Sequence, residues 1–591
     1  MPAKYGGRLS SVLDVKMSEG NNQDYHAKAG VGLIMSRLSV EGPIVKDRSS
    51  FIVSGRRSYF DVFLALSPNE GIRNNILYFY DLNAKTNYRF DDNNRIYLSG
   101  YFGRDKLGFA DFFGIDWGNA TGTLRWNHLF NDRLFLNTSV IYSDYDYGIE
   151  INTGNDDSRW VSGQQVLGLK LDFDYYPSPK HTLSYGYQAF AYRFAPGEWA
   201  SVGQNSTLVD YSLIKKAALE QSLYIGDEFK ASPKLNVQYG ARLTHFMNTG
   251  KTQVYSYSTN TPMDTRDITD TTAYDWGEPV KSYFIPEPRL ALRYKINELS
   301  SIKASYNRNA QFLQVASTSS AGLPIDKWIP ADRYIQPLIG DQVALGYFRN
   351  LFGSFEGSVE VYYKHMENVA DFRSDADLFQ SDALETEILT GFGWAYGLEL
   401  SLEKNVGKTT GQVSYTLSDT RRKIEGINLD IPYSPRYNRP HNFTMYVLHQ
   451  ITPRMTASLV WTYQSGVAVS FPSGGYVVTE GGQKQQQGNA VAVYEEGKRN
   501  AYRFPAYHRL DLSMDYDFKS KLWGMKQNIN VSVYNVYGRN NPFTYSFSDV
   551  YNNDLNAVIT NPGEINTRSA EAIRTTLLGV VLPSISYNLE F

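Results

Sequence analysis

The stretch LPSISYNLEF (582–591) decides the fold. From Pro583 onward, Ile585, Tyr587, Leu589 and Phe591 are apolar or aromatic, while Ser584, Ser586, Asn588 and Glu590 between them are polar. A period of two is the mark of a β-strand with one greasy and one wet face. A soluble sheet rarely stops in mid-strand on an exposed aromatic. A closed membrane barrel can, because its last strand pairs with its first and lipid covers the outer face.

Composition favours that reading. Aromatic residues make up 14% of the 591 residues, with 45 Tyr against 31 Phe and 9 Trp, an excess expected where amphipathic rings sit at lipid headgroups. Mean hydropathy is −0.40, and no run approaches the roughly 18 apolar residues that a spanning helix needs. Strands with polar lumen positions give a hydrophilic average inside a membrane, so the two facts agree. The absence of cysteine excludes a disulfide scaffold, thiolate metal sites and thiol catalysis. A net charge of −3 is too balanced for a nucleic-acid partner. The start, MPAKYGGRLSS, has neither the basic end nor the apolar core of a secretion signal. Since a barrel of this kind must cross an inner membrane, Met1 is expected not to be the native beginning.

Upstream of the last strand the chain reads as paired strands joined by a few residues. The pairs are Ile34–Ile44 with Ser50–Phe60, Leu77–Phe90 with Arg95–Gly103, Trp117–Phe130 with Leu134–Tyr145, Val166–Tyr175 with Thr182–Tyr192, and Ala218–Phe229 with Leu235–Phe246. Then come Pro286–Ile296 with Ser301–Gln311, Gln342–Asn350 with Ser354–Met366, Trp394–Lys404 with Gly411–Leu417, His441–Gln450 with Met455–Gln464, and His508–Phe518 with Gln527–Tyr537. Adding Tyr25–Gly32 and the closing strand predicts an all-β, about 22-stranded antiparallel transmembrane barrel closed by pairing Tyr25–Gly32 with Pro583–Phe591. Alternate charges, such as Arg289, Arg293 and Lys295 between Leu290, Leu292, Tyr294 and Ile296, or Asp511 and Asp515 between Leu510, Leu512, Met514 and Tyr516, must line a hydrated lumen. The other connections are long, among them 59–76, 104–116, 146–165, 193–217, 247–285, 312–341, 367–393 and 465–507, so short periplasmic turns and long extracellular loops are expected.

Several segments in order resemble the TonB-dependent outer-membrane transporters, in detail those of the Bacteroidetes type. They are YGGRLSSVLDV (5–15), EGPIVKDRSSFIVSGRRSYFD (41–61), SIKASYNRNAQFLQ (301–314), IQPLIGDQVALGYFRN (335–350), AYGLELSLEKNVGKTTGQVSYTLS (395–418), YNRPHN (437–442) and the closing LPSISYNLEF. The resemblance implies a receptor that imports a scarce extracellular nutrient, whether iron chelate, cobalamin, glycan or peptide, through a plugged barrel. It implies that residues 1–22, with Tyr5, Gly6, Gly7 and Arg8, are the end of a plug domain, and that 23–591 form the barrel. Contact with the TonB complex would run through an N-terminal segment that the sequence lacks. The alternation of Tyr587, Leu589 and Phe591 resembles the signal that such barrels present to their assembly machinery. Outer-membrane lipid and lipopolysaccharide are implied neighbours, and a surface lipoprotein is a further partner in this class. The rival reading is a passive pore or accessory barrel not coupled to TonB.

Chemistry-bearing motifs are few. GKTT (407–410) echoes a phosphate loop, but it joins two strands and lacks the leading glycine, so it reads as a turn. The eight histidines show no ligand spacing, and no nucleophile is tied to a histidine and a carboxylate, so no enzyme and no cofactor is expected. Loop 371–387 concentrates Asp371, Asp375, Asp377, Asp382, Glu385 and Glu387, an oxygen-rich set that suits either calcium or plain solvation. In PIDKWIPADRYIQ (324–336), Asp326, Trp328 and Tyr334 combine aromatic planes with hydrogen-bonding groups, which suits contact with a sugar or peptide or simply braces the loop.

Overall fold

In the computed structural model the chain closes into one antiparallel barrel of 22 strands. The structure describes every residue except 110–112, 153–156, 203–208, 260, 317–326, 374–375, 377–380, 479–488, 520–521, 523, 550–569 and 577–578. Strand follows strand around the wall from His26–Gly32 to Leu582–Glu590, each paired with its neighbour in sequence. The barrel shuts where Lys28 to Gly32 pair with Glu590 to Ser586. The last residue joins in: the Phe591 N–H donates to Ala27 O at 2.8 Å and the Ala27 N–H donates to Phe591 O at 3.4 Å. The terminal stretch is therefore the closing strand, as its alternation requires. Its Ile585 and Phe591 side chains are exposed on the outer face.

All ten expected pairs form, but the wall strands run well into three of the expected long connections. Asn94–Phe109 and Phe113–Asn131 run through 104–116, Leu134–Ile151 and Ser158–Ser178 shorten 146–165, and His181–Ser201 and Lys216–Lys230 shorten 193–217. The alternation there carries charge on the outer face. Arg104 pairs with Asp116 and, at 3.0 Å, with Asp146, while Arg159 reaches Asp116 at 3.1 Å and also pairs with Glu150. Register puts these groups on the same side as the exposed Leu98, Leu124 and Val140, farther toward the long-loop end. Strands that rise clear of lipid no longer need an apolar outer face.

Below that zone the outer surface is apolar. On Tyr507–Asp517, Leu512, Met514 and Tyr516 are exposed, and on Pro279–Asn297 so are Leu290, Leu292, Tyr294 and Ile296. Aromatic groups ring both rims. Tyr88–Phe90, His128–Phe130 and Tyr516–Phe518 lie at the short-turn end, and His245–Phe284, Phe392–Trp394 and Phe443–Trp461 at the long-loop end. From His508 to Tyr516 is eight residues, or roughly 26 Å of strand at about 3.3 Å each, enough to cross a hydrocarbon core with tilt. Inside, the charged partners expected to face water pair largely along their own wall, as in Arg509 with Asp511 and Asn530 with Asp515, each at 2.9 Å.

The long loops carry small hairpins of their own, Thr252–Tyr257 with Ile268–Tyr274 and Leu313–Ala316 with Lys327–Pro330 among them. Gly407 and Lys408 of GKTT lie in the turn after Ile388–Lys404, and its two threonines open Thr409–Lys423, with Gly407 at φ +91 and Lys404 donating to the carbonyls of Val406 and Thr409.

Candidate functional site

Residues 1–20 enter the lumen as a strap. Most of the strap's contacts with the wall are made by its carbonyls, each taken by a wall side chain. Arg289 donates to Pro2 O, Gln188 and Arg242 to Lys4 O at 3.1 and 3.3 Å, Lys364 to Leu9 O at 2.8 Å and Lys85 to Met17 O at 2.9 Å. The glycines of YGGR have separate reasons to be there. A Cβ on Gly6 would collide with the Arg242 side chain, and Gly7 sits at φ +74. Arg8 lies over the Trp328 ring at 5.3 Å.

Beneath Lys4 the wall holds a buried charge network. Arg242, 2% exposed, lies 3.7 Å from Glu287, which is fully buried, and 4.0 Å from Glu220. Arg289 reaches Glu287 at 3.1 Å, Thr244 donates to Glu287 at 2.8 Å and Tyr192 to Glu220 at 3.2 Å. Buried charges persist only when paired and hydrogen-bonded, and each carboxylate here has both a cation and a hydroxyl donor. An apolar layer of Phe194, Phe246, Ile285, Ala310 and Phe312 closes over this network toward the long-loop end, sealed by Leu313 and Ala331.

From Ser10 to Lys16 the strap is exposed. It leaves the far wall at Leu9 and meets the opposite wall at Met17, where Glu19 pairs with Arg95 at 2.9 Å and Lys85 at 3.7 Å. Eight residues at about 3.3 Å each span roughly 26 Å, one crossing of the lumen. Gly20 then packs against the Phe51 backbone, where a side chain has no room, and the Asn21 N–H donates to Glu41 at 3.1 Å.

Loops roof the strap. Trp328 packs on the apolar layer above Arg8, and Lys327 lies 4.9 Å from the Trp160 ring centre. Tyr334 is held from several sides: its hydroxyl donates to Tyr255 O at 3.2 Å, its ring meets Tyr257 edge-on at 5.3 Å, and its N–H donates to Asp332 at 3.0 Å. Asp326 lies outside the described residues. The acidic loop is knitted into the same roof. Asp382 accepts from Tyr211 at 2.6 Å and Glu385 from Tyr257 at 3.0 Å, and burial pushes the Glu385 carboxyl up. Asp371 is held elsewhere, by Arg499 at 2.9 Å, Arg422 at 3.5 Å and the Tyr433 hydroxyl at 2.7 Å. Asp375 and Asp377 lie outside the described residues. Among the described residues no three carboxylate or imidazole groups converge to hold a metal ion.

YNRPHN acts as a loop lock. Asn438, almost fully buried, donates to Asp419 at 2.8 Å and Ser434 at 3.0 Å, and the Tyr437 hydroxyl accepts from Arg422 at 3.1 Å. The groups that sequence reasoning did not single out are Glu220, Arg242 and Glu287. Their only signal is a charge at a lumen position of an alternating strand, which dozens of residues share.

A closed barrel of this width, with an apolar outer band between two aromatic belts and a polar lumen that grips an inserted segment of its own chain, is an outer-membrane transport barrel. The chain belongs to the TonB dependent receptor-like β-barrel family, whose model matches residues 55–536. Its members are integral outer-membrane transporters that work with TonB and are not enzymes. Solved structures with the same fold include the ferric citrate transporter FecA in its unliganded form, at 13% identity, covering 97% of this chain and 80% of that one with a TM-score of 0.63. The ferric yersiniabactin uptake receptor FyuA from Yersinia pestis aligns at 11% identity, over 97% and 81% of the two chains, with a TM-score of 0.64. The copper transporter OprC aligns at 10%, over 98% and 82%, with a TM-score of 0.64. No curated protein matches the sequence.

Proposed function

We propose that this barrel imports a scarce extracellular nutrient by TonB-coupled, energy-dependent passage through a lumen partly filled by residues 1–22, which act as the end of a plug. The observation that supports it most is the docking of the strap. Gln188, Arg242 and Arg289, all buried, and the half-buried Lys364 are aimed from separate strands at strap carbonyls, an arrangement with no purpose in a plain water-filled pore. Ligand would enter between the roof loops, where Trp328 and Tyr334 are the first aromatic planes to test. Lipopolysaccharide around the charged outer face and a surface lipoprotein over the loops would fit the same reading. Cargo screening should take iron chelates, cobalamin, glycans and peptides, starting with ferric chelates, the cargo named for two of the structural neighbours.

The test is uptake by cells that carry the gene, with and without an inner-membrane uncoupler. Accumulation of the cargo above its external concentration should collapse when the uncoupler is added. A passive pore would equilibrate its solute equally in both. In planar bilayers, deleting residues 1–20 should raise single-channel conductance severalfold, and an unchanged conductance would mean that the roof loops alone seal the barrel.

A further inference from the structure

Three adjacent strands, Ile76–Arg89, Asn94–Phe109 and Phe113–Asn131, bring a set of cations to one spot on the lumen wall, a few residues above the short turns. Register sets Tyr97 opposite Arg125 and Lys85 opposite Ser99. Around the Tyr97 ring centre lie Arg125 at 4.4 Å, Arg95 at 5.0 Å and Lys85 at 5.4 Å. One aromatic quadrupole cannot neutralise three like charges. The carboxylate that serves them is Glu19 of the strap, 2.9 Å from Arg95 and 3.7 Å from Lys85. Arg125 has no carboxylate or hydrogen-bond acceptor among the described residues, and its Nε is buried. Asn87 accepts from Arg95 at 2.8 Å and steadies that guanidinium.

We propose that Lys85, Arg95 and Arg125 around Tyr97 form an oxyanion-binding site in the lumen, covered by the strap's own Glu19 and opened to a ligand carboxylate or phosphate when Glu19 leaves. Three cations face one carboxylate, so the site keeps uncompensated positive charge. Two planar guanidinium forks can each grip a pair of oxygens on a carboxylate or a phosphate. The occupant is removable. Glu19 is 38% exposed in its side chain, and its strap is exposed from Ser10 to Lys16. Glu19 thus stands where an anionic ligand would stand and competes with it. The position of this site on the import path rests on the transport reading above; the site itself does not.

Equilibrium dialysis of the detergent-solubilised full chain, with citrate and inorganic phosphate as separate probes, tests the proposal. Glu19→Gln should bind one or both probes at least tenfold more tightly than the unaltered chain, and adding Arg125→Gln should remove that gain. The stronger probe tells whether the site prefers carboxylate or phosphate. If Arg125→Gln does not assemble, as judged by heat-modifiable gel mobility, Arg125→Lys in the Glu19→Gln background should give an intermediate affinity. Equal binding by Glu19→Gln and the unaltered chain, or a gain that survives the change at Arg125, would overturn the site. Energy-dependent uptake failing while this binding persists would overturn the transport reading alone.

Discussion

Replacing Arg242 by methionine is expected to destabilise the barrel by about 3–5 kcal/mol, the usual result of removing one partner from a buried ion pair. Arg242 sits between Glu220 and Glu287, and all three are buried on the lumen wall. Methionine fills much of the arginine volume, so the loss is electrostatic and not a cavity. Glu287 keeps Arg289 and Thr244, but among the described residues Glu220 keeps only the Tyr192 hydroxyl as a direct partner, with no cation in contact, and it becomes the poorly compensated charge. Adding Glu220→Gln should therefore recover a large part of the loss. Loss of Arg242 also removes a donor to Lys4 O, so the strap should loosen as well. Guanidinium unfolding of the purified barrel gives the first effect, and faster proteolysis within residues 1–9 gives the second. An unchanged midpoint would show that water reaches the network and screens it.

Substituting Phe591 by alanine should reduce the amount of protein in the outer membrane severalfold, while the fraction that inserts keeps its heat-modifiable mobility. The reasoning separates two roles of the last residue. Closure uses its backbone, which exchanges hydrogen bonds with Ala27, and alanine retains both groups. The ring is 63% exposed on the outer face and contributes little to the closed wall. What the ring can serve is recognition before closure, when the last strand is still presented to the assembly machinery together with Tyr587 and Leu589. Quantitative blotting of outer-membrane fractions measures this. Full insertion of the alanine variant, or insertion into a barrel that melts early, would assign the ring to stability.

The strand pairs were legible because each wall residue faces either lipid or lumen, and a period of two survives in a single sequence. The strand ends were not. Above the lipid the outer face changes chemistry, so Arg104, Asp116 and Asp146 interrupt the apolar series while the backbone continues in the sheet. YGGRLSSVLDV stood out through its resemblance and its glycines, and the structure gives those glycines work to do at Arg242 and at a positive φ. Its receptor could not be read. Arg242 lies directly opposite Glu287 only because two long strands pair in one register, and single-sequence patterns carry no cross-strand partners. Trp328 and Tyr334 were visible as aromatic residues in a long loop, but their partners, Arg8 and Tyr257, come from distant segments.

The seam between Lys28–Gly32 and Ser586–Glu590 is far shorter than the ladders that run the full length of Phe113–Asn131 and Leu134–Ile151. Opening free energies in a folded chain range from near zero to the global value, and they follow the number of bonds that must break together. The ladders of His26–Val31 with Ser36–Glu41 and of Leu512–Asp517 with Asn528–Val533 are nearly as short, so the wall should breathe in this one sector. In deuterated solvent the amides from Ala27 to Gly32 would exchange long before those of the tall strands. The barrel has a preferred sector for splitting, and it lies beside the point where the strap leaves the lumen to become the first strand.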